Sequence, residues 1–151
     1  MLGRKSATWR FVAVAVPLAV VVAAGCATTT KINHAYVTST NFGPLRRYAW
    51  APGSSIYSPD SLVEANVQSL ADPLLEKKGF ERVTATPDLV ISVRLGGGGN
   101  YELQVLDLNV YRADGRTLLW RGTASGWIST DAASSDLRNA VQGILATFPP
   151  D

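Results

Sequence analysis

The sequence has a single cysteine and a single histidine among its 151 residues. One cysteine excludes a disulfide framework and a zinc site built from several thiolates, and one histidine excludes any metal or catalytic site that needs two imidazoles. Charged residues make up only 17% of the chain and hydrophobic residues 46%, so the composition excludes wholesale disorder. The length suits one globular domain and leaves little space for a second.

The first 25 residues have the layout of an export signal. Three basic side chains precede an unbroken apolar run over residues 11–24, in which Pro17 lies near the middle. This run is shorter than the ~20 apolar residues that a membrane-spanning helix needs, and polar residues follow it closely. The pattern predicts a cleaved signal peptide over residues 1–25.

Cleavage there would change the charge balance of the chain. Residues 1–25 hold three of the 14 basic residues and none of the 12 acidic ones, so residues 26–151 carry 11 basic and 12 acidic side chains. A domain without an excess of cations has little with which to neutralise phosphates. Nucleic-acid binding is therefore not expected.

Cys26 provides the prediction of cellular location. Residues 22–26, Val-Ala-Ala-Gly-Cys, resemble the lipobox of bacterial lipoproteins, in which small side chains precede a cysteine that is linked to diacylglycerol and becomes the new N-terminus. The resemblance implies fatty acyl chains such as palmitate on Cys26, and two or three chains anchor a protein stably because each buried CH₂ contributes ~0.8 kcal/mol. The alternative is ordinary signal-peptidase cleavage, for instance after Ala24, which leaves an unmodified cysteine.

The residues after Cys26 refine this prediction. Many lipoproteins are retained at the inner membrane by an aspartate after the cysteine, whereas Ala27 stands there in this chain. This resemblance to lipoprotein sorting favours the periplasmic face of the outer membrane, if the organism has one. Residues 26–33 are threonine-rich and lack periodicity, which predicts a tether, and residues 34–151 are predicted to form one domain.

The first half of that domain predicts two strands and a helix. Residues 32–37 and 45–50 are short strand candidates. The helix begins either at Pro59, with Ser58 as its cap, or one turn later at a capping box over residues 61–64. Gly79 is expected to end it in the left-handed conformation, and Pro73 is expected to kink it.

The second half predicts three strands and a last helix. Apolar residues alternate from Leu89 to Leu95, and four glycines, residues 96–99, separate this strand from the next. A change of alternation near Val105 predicts a β-bulge, and residues 113–115 a hairpin turn. The order β-β-α-β-β-β-α indicates the α+β class, an antiparallel sheet with two helices packed on one face.

The domain also resembles domain-of-unknown-function family 4136, a family of small bacterial envelope lipoproteins. The resemblance covers essentially all of the chain after the signal peptide, and it is carried by five short segments, Arg47–Trp50, Lys78–Phe80, Pro87–Val90, Leu118–Gly122 and Phe148–Pro150. It implies the α+β fold and an envelope location. It implies no defined activity and supplies no catalytic residues.

Few residues could perform catalysis. His34 is the one imidazole and is expected to be a solvated side chain of the tether or of an edge strand. The glycines at 96–99 are followed by a predicted strand, whereas a phosphate-binding loop needs a helix N-terminus there. Asp60 and Glu64 share a helix face in the first turn, where acidic side chains favour the helix dipole. We therefore expect no catalytic residues, no metal and no cofactor.

Trp127 is the candidate binding residue. Trp120 has the inward phase of its strand, whereas Trp127 has the opposite phase, beside Thr123 and Ser125. An outward tryptophan on a sheet is a candidate contact surface. The sequence therefore predicts a lipid-anchored, non-enzymatic envelope protein that contacts another envelope component. The alternatives are a carrier or sensor of an apolar small molecule, held between sheet and helices, and a periplasmic hydrolase.

Overall fold

The chain folds around a six-stranded sheet. A computed structural model describes residues 30–52, 59–98, 101–131 and 133–150, of which 59 and 60 are described for the backbone only. The predicted signal peptide, Cys26 and the candidate cap Ser58 lie outside these ranges. The elements in chain order are β1 (Lys31–Tyr36), β2 (Arg47–Trp50), α1 (Pro59–Lys77), β3 (Glu81–Arg82), β4 (Leu89–Gly96), β5 (Glu102–Arg112), β6 (Leu118–Ser129) and α2 (Asp136–Ala146). The predicted α+β class is confirmed, and β3 is a short strand that the sequence did not predict.

The strands lie in the order β1-β6-β5-β4-β2-β3. The neighbouring pairs β1–β6, β6–β5 and β5–β4 are antiparallel, whereas β2 runs parallel to both of its neighbours, β4 and β3. The sheet is therefore mixed, where a fully antiparallel one was predicted. The reason is the position of α1, which connects β2 to the strands that follow, and a helical crossover returns the chain in the parallel direction.

Both helices pack on the same face of the sheet. Ile32 of β1 is paired with Ala124 of β6, and its Cδ1 lies 3.0 Å from the position that a Cβ on Gly143 of α2 would occupy. Towards the opposite edge of the sheet, on the same face, the Tyr48 hydroxyl of β2 donates to the Asp72 carboxylate of α1. In the part of the chain that the structure describes, no helix covers the opposite face, which we call the outer face.

The core lies between the sheet and the two helices. Leu106, Leu108 and Val110 of β5 are buried there, and α2 buries one apolar face against them, made of Leu137, Ala140, Val141, Ile144 and Leu145. Phe148, just after α2, is fully buried, and its ring lies 4.9 to 5.5 Å, between centroids, from the rings of Phe42, Phe80 and Trp120. Aromatic contacts at this separation add to the apolar area that the core buries.

The end of α1 follows the prediction. Gly79 has a φ of +83°, and its backbone N–H donates to the carbonyl of Glu76, while that of Phe80 donates to the carbonyl of Leu75. This pair of bonds is a Schellman motif, which satisfies carbonyls that would otherwise lack partners. The helix begins at Pro59 and continues through Pro73 without interruption.

The irregularities of the sheet also match the sequence. The register between β5 and β6 shifts between Leu103 and Val105, where the alternation of apolar residues changes phase. The hairpin turn predicted at residues 113–115 joins the same two strands, and the Asp114 carboxylate accepts the backbone N–H groups of Arg116 and Thr117. These bonds hold the pKa of Asp114 at about 2.

Candidate functional site

Trp127 is an exposed aromatic residue near the end of β6, with 57% of its surface accessible. Trp120, in the same strand, is fully buried, as the phase of the strand predicts. Lys31, the first residue of β1, is paired with Ser125, so Trp127 lies just beyond the start of the edge strand. Its position is the one that the sequence indicates, and its role as a contact residue stays a prediction.

The outer face carries polar side chains that satisfy one another. The Thr123 hydroxyl donates to the Asp107 carboxylate at 2.7 Å, and the Arg121 guanidinium donates to the Asn109 side-chain oxygen at 2.6 Å. Asp107 and Asn109 are only 9% and 3% exposed, although the alternation of β5 suggests a solvated face. Both buried side chains keep a hydrogen-bond partner, as buried polar groups usually do.

His34 lies on the edge strand β1 and is exposed. Its ring stacks on that of Tyr36, with 6.1 Å between the ring centroids. Within the described ranges, no three His, Cys, Asp or Glu side chains come together in a group that could hold a metal ion. The structure thus places His34 on the exposed edge strand, where the sequence predicts it.

Asp72 of α1 forms a cluster of hydrogen bonds that was not predicted from the sequence. One carboxylate oxygen accepts the Tyr48 hydroxyl at 2.7 Å and the Trp50 indole N–H at 2.8 Å, and the other accepts Arg82 at 2.8 Å. Burial raises the pKa of the Tyr48 hydroxyl, and the neighbouring Asp72 raises it further. Tyr48 and Trp50, two residues apart in β2, face the helix together, and this spacing is the signal that could have revealed the cluster.

A shallow groove lies at the other end of β1 from Lys31. It has a volume of about 210 Å³ and is lined by Ala35, Tyr36 and Val37 together with residues 118–121 of β6. Trp120 contributes to its lining, and the buried indole N–H of this tryptophan has no hydrogen-bond partner among the residues that the structure describes. Ligand pockets usually enclose ~300–1,000 Å³, so the groove is small for one.

A membrane-crossing helix is not among the elements of the described residues, because neither helix is both long and apolar enough.

Comparisons with known proteins show a likeness of fold. A PDZ domain protein from Parabacteroides distasonis matches 80% of this chain with a TM-score of 0.57 and 15% identity, and the chain spans about a third of that protein, 35% of its length. PelC from Paraburkholderia phytofirmans, solved as a dodecamer, matches 78% of this chain and 96% of its own, with a TM-score of 0.50 and 16% identity.

A DUF4136 family protein from Bacteroides thetaiotaomicron matches 79% of this chain and 94% of its own, with a TM-score of 0.54 and 11% identity. The sequence itself matches no protein-family model and no curated protein. The structural likeness supports the family 4136 fold that the sequence motifs suggest. Because the sequence identities are only 11–16%, it shows the fold and nothing about function.

Proposed function

We propose that the protein is a lipid-anchored protein of the bacterial cell envelope whose domain is a non-enzymatic module that contacts another envelope component. The lipobox-like sequence that ends at Cys26 supports the anchor. The fold shared with a DUF4136 family protein supports the resemblance to that group of envelope lipoproteins. Cys26 would hold the domain at the membrane, and the periplasmic face of the outer membrane is the proposed location.

The observation that supports a contact function is the exposure of Trp127. This side chain is 57% exposed on a strand whose other tryptophan is fully buried. Tryptophan combines a large apolar surface with one N–H donor, and it is enriched where proteins meet partners or membrane interfaces. A chain that needed Trp127 only for its own stability would be expected to bury it in the core.

The carrier alternative requires space for a ligand between sheet and helices. The groove of about 210 Å³ lies instead at the end of β1 and opens at the surface. The hydrolase alternative rests on His34 or on paired carboxylates, and the exposed ring of His34 stacks on Tyr36. Neither observation favours these functions over a contact module.

The anchor is tested by the intact mass of the protein extracted from membranes, beside a Cys26→Ala variant. We expect a mass equal to residues 26–151 plus acyl groups, and no acyl mass in the variant. Acyl groups with the mass of diacylglycerol would identify the thioether-linked lipid. A product that starts near Gly25 without added mass would contradict the anchor and identify an exported protein with a free thiol.

The contact function is tested with Trp127→Ala, and Tyr36→Ala, an exposed aromatic residue 39% accessible at the other end of β1, serves as the control. Surface substitutions usually change stability by no more than ~0.5 kcal/mol, so both variants should keep the wild-type melting temperature. Only Trp127→Ala should reduce the material that co-purifies from gently solubilised envelopes. A large fall in its melting temperature would instead show that Trp127 stabilises the fold.

A further inference from the structure

The exposed large apolar side chains of the described residues fall at two ends of the sheet. Tyr36 and Val37 are 39% and 44% exposed at the end of β1 that carries the shallow groove. The other three are more exposed, and we call them the apolar cluster, Leu62 at 72%, Tyr101 at 76% and Trp127 at 57%. The topology places this cluster at the end of the domain where the chain enters β1.

Two members of the cluster are placed there by the register of the sheet. Lys31 is paired with Ser125, and β6 continues two residues further to Trp127, a distance of ~7 Å along the strand. The backbone N–H of Thr130, just after β6, donates to the carbonyl of Tyr101 at 2.9 Å. Trp127 and Tyr101 therefore lie beyond the start of β1.

The direction of α1 places Leu62 at the same end. The carboxyl end of α1 leads into β3, which is paired with the start of β2, and Asp72 hydrogen-bonds to Trp50 at the end of β2. Ten residues separate Asp72 from Leu62, which corresponds to ~15 Å of helix. The N-terminal part of α1 therefore lies towards the end of β4, where Gly96 is located. Gly96 pairs across the sheet with Val105, which is in line with Ser125 and Lys31.

Residues 31–33 of the predicted tether belong to β1, so the length of the segment before Lys31 decides what this end of the domain faces. Cys26 precedes Lys31 by five residues, and a chain of that length reaches at most about 18 Å when fully extended. With its lipid in the bilayer, Cys26 holds Lys31 within that distance of the membrane surface. The groove end of β1 lies ~17 Å further along the strand and can turn away from the membrane.

The chemistry of the apolar cluster fits the interfacial region of a bilayer. Tryptophan and tyrosine are enriched at that depth because their rings are apolar while their N–H and O–H groups stay hydrated. The exposed charges at this end, Lys31, Glu102 and Asp131, are mixed in sign, so attraction by anionic headgroups is not the main contribution to membrane binding. The main favourable contribution is the burial of apolar area against the membrane.

We propose that Leu62, Tyr101 and Trp127 form a membrane-contact surface that rests in the interfacial region of the bilayer to which Cys26 is anchored. This inference builds on the lipid anchor of the proposed function. It names the bilayer itself as the envelope component that Trp127 contacts, and it gives the domain a fixed orientation. The anchored domain stands with the start of β1 towards the membrane and the groove away from it.

The test uses quenching of tryptophan fluorescence by brominated lipids. The acylated protein is reconstituted into vesicles of phosphatidylethanolamine and phosphatidylglycerol, with and without bromine on the acyl chains. Subtracting the emission of a Trp127→Phe variant isolates the emission of Trp127 from that of Trp50 and Trp120. We expect brominated lipid to remove most of the Trp127 emission.

A matched control moves the reporter to the other end of the same strand. A variant with both Trp127→Phe and Tyr36→Trp carries an exposed indole near the groove, and its added emission should persist in brominated vesicles. Unchanged melting temperatures of both variants establish that they are folded.

The outcomes separate the two proposals. An acyl mass on Cys26 together with unquenched Trp127 emission would overturn the membrane contact and retain the anchor. Equal quenching at positions 36 and 127 would overturn the fixed orientation. A mass without acyl groups would overturn the anchor and the membrane contact together.

Discussion

Asp72 shows how one side chain can join a helix to a sheet. Its side chain is 27% exposed, yet it accepts hydrogen bonds from two residues of β2 and from Arg82. Arg82 lies in β3, the short strand that follows the turn at the end of α1. Tyr48 is only 1% exposed, so its hydroxyl depends on this carboxylate for an acceptor. Asp72 therefore fixes the rotation of α1 over the short parallel strands.

We expect Asp72→Ala to destabilise the fold by about 1–3 kcal/mol, because it leaves the buried Tyr48 hydroxyl without an acceptor. Urea unfolding measures the change. The control is Glu76→Ala, one turn further along α1 at an exposed position, which should change the free energy of unfolding by less than ~0.5 kcal/mol. Asp72→Asn keeps an acceptor oxygen and should recover part of the loss. Equal losses in Asp72→Ala and Glu76→Ala would contradict this role.

Among the elements, the long ones were predicted best. The alternation in β4 and the apolar stripe of α2 give clear periodic signals because each element presents one face to the core. The strand β3 has two residues, both exposed, and no pattern of that length can be distinguished from a loop. Since β3 and the parallel pairing of β2 depend on where α1 returns the chain, the mixed sheet is a property of the tertiary structure.

Packing of α2 on β6 depends on the absence of a side chain at Gly122. A Cβ built there would lie 2.5 Å from Cγ2 of Ile144 and would also meet the Trp120 ring. We expect Gly122→Ala to cost about 1–3 kcal/mol, because the indole and α2 would have to move. Thermal unfolding measures the effect.

The comparison for this substitution is Gly96→Ala in β4. A Cβ there would lie 3.6 Å from the Cβ of Val105, which is an ordinary contact. This variant should keep or slightly raise the melting temperature, because alanine restricts the unfolded chain more than glycine. If both variants melt at the same temperature, close approach at Gly122 is not what limits the packing of α2.

At the scale of the whole molecule, the sequence predicts one residue of the proposed contact surface, Trp127, and the fold places Leu62 and Tyr101 at the same end of the domain. Trp127 was identifiable because its phase is opposite to that of Trp120. Leu62 and Tyr101 have no such signal, since one lies in the first turns of a helix and the other before a strand that begins at Glu102. Only the sheet register and the direction of α1 show that all three share one end of the domain.

The entry of the chain into the sheet through the edge strand β1 has a mechanical consequence. If Cys26 carries the proposed lipid, a pull transmitted from the bilayer would enter the domain at Lys31, the first residue of β1, whose six residues are paired along β6. When the load is directed along β1, it acts on the backbone hydrogen bonds of this pair in shear, so they share the force instead of opening one after another. A domain anchored in this way should resist mechanical unfolding better than one tethered through a terminal helix turn or a loop.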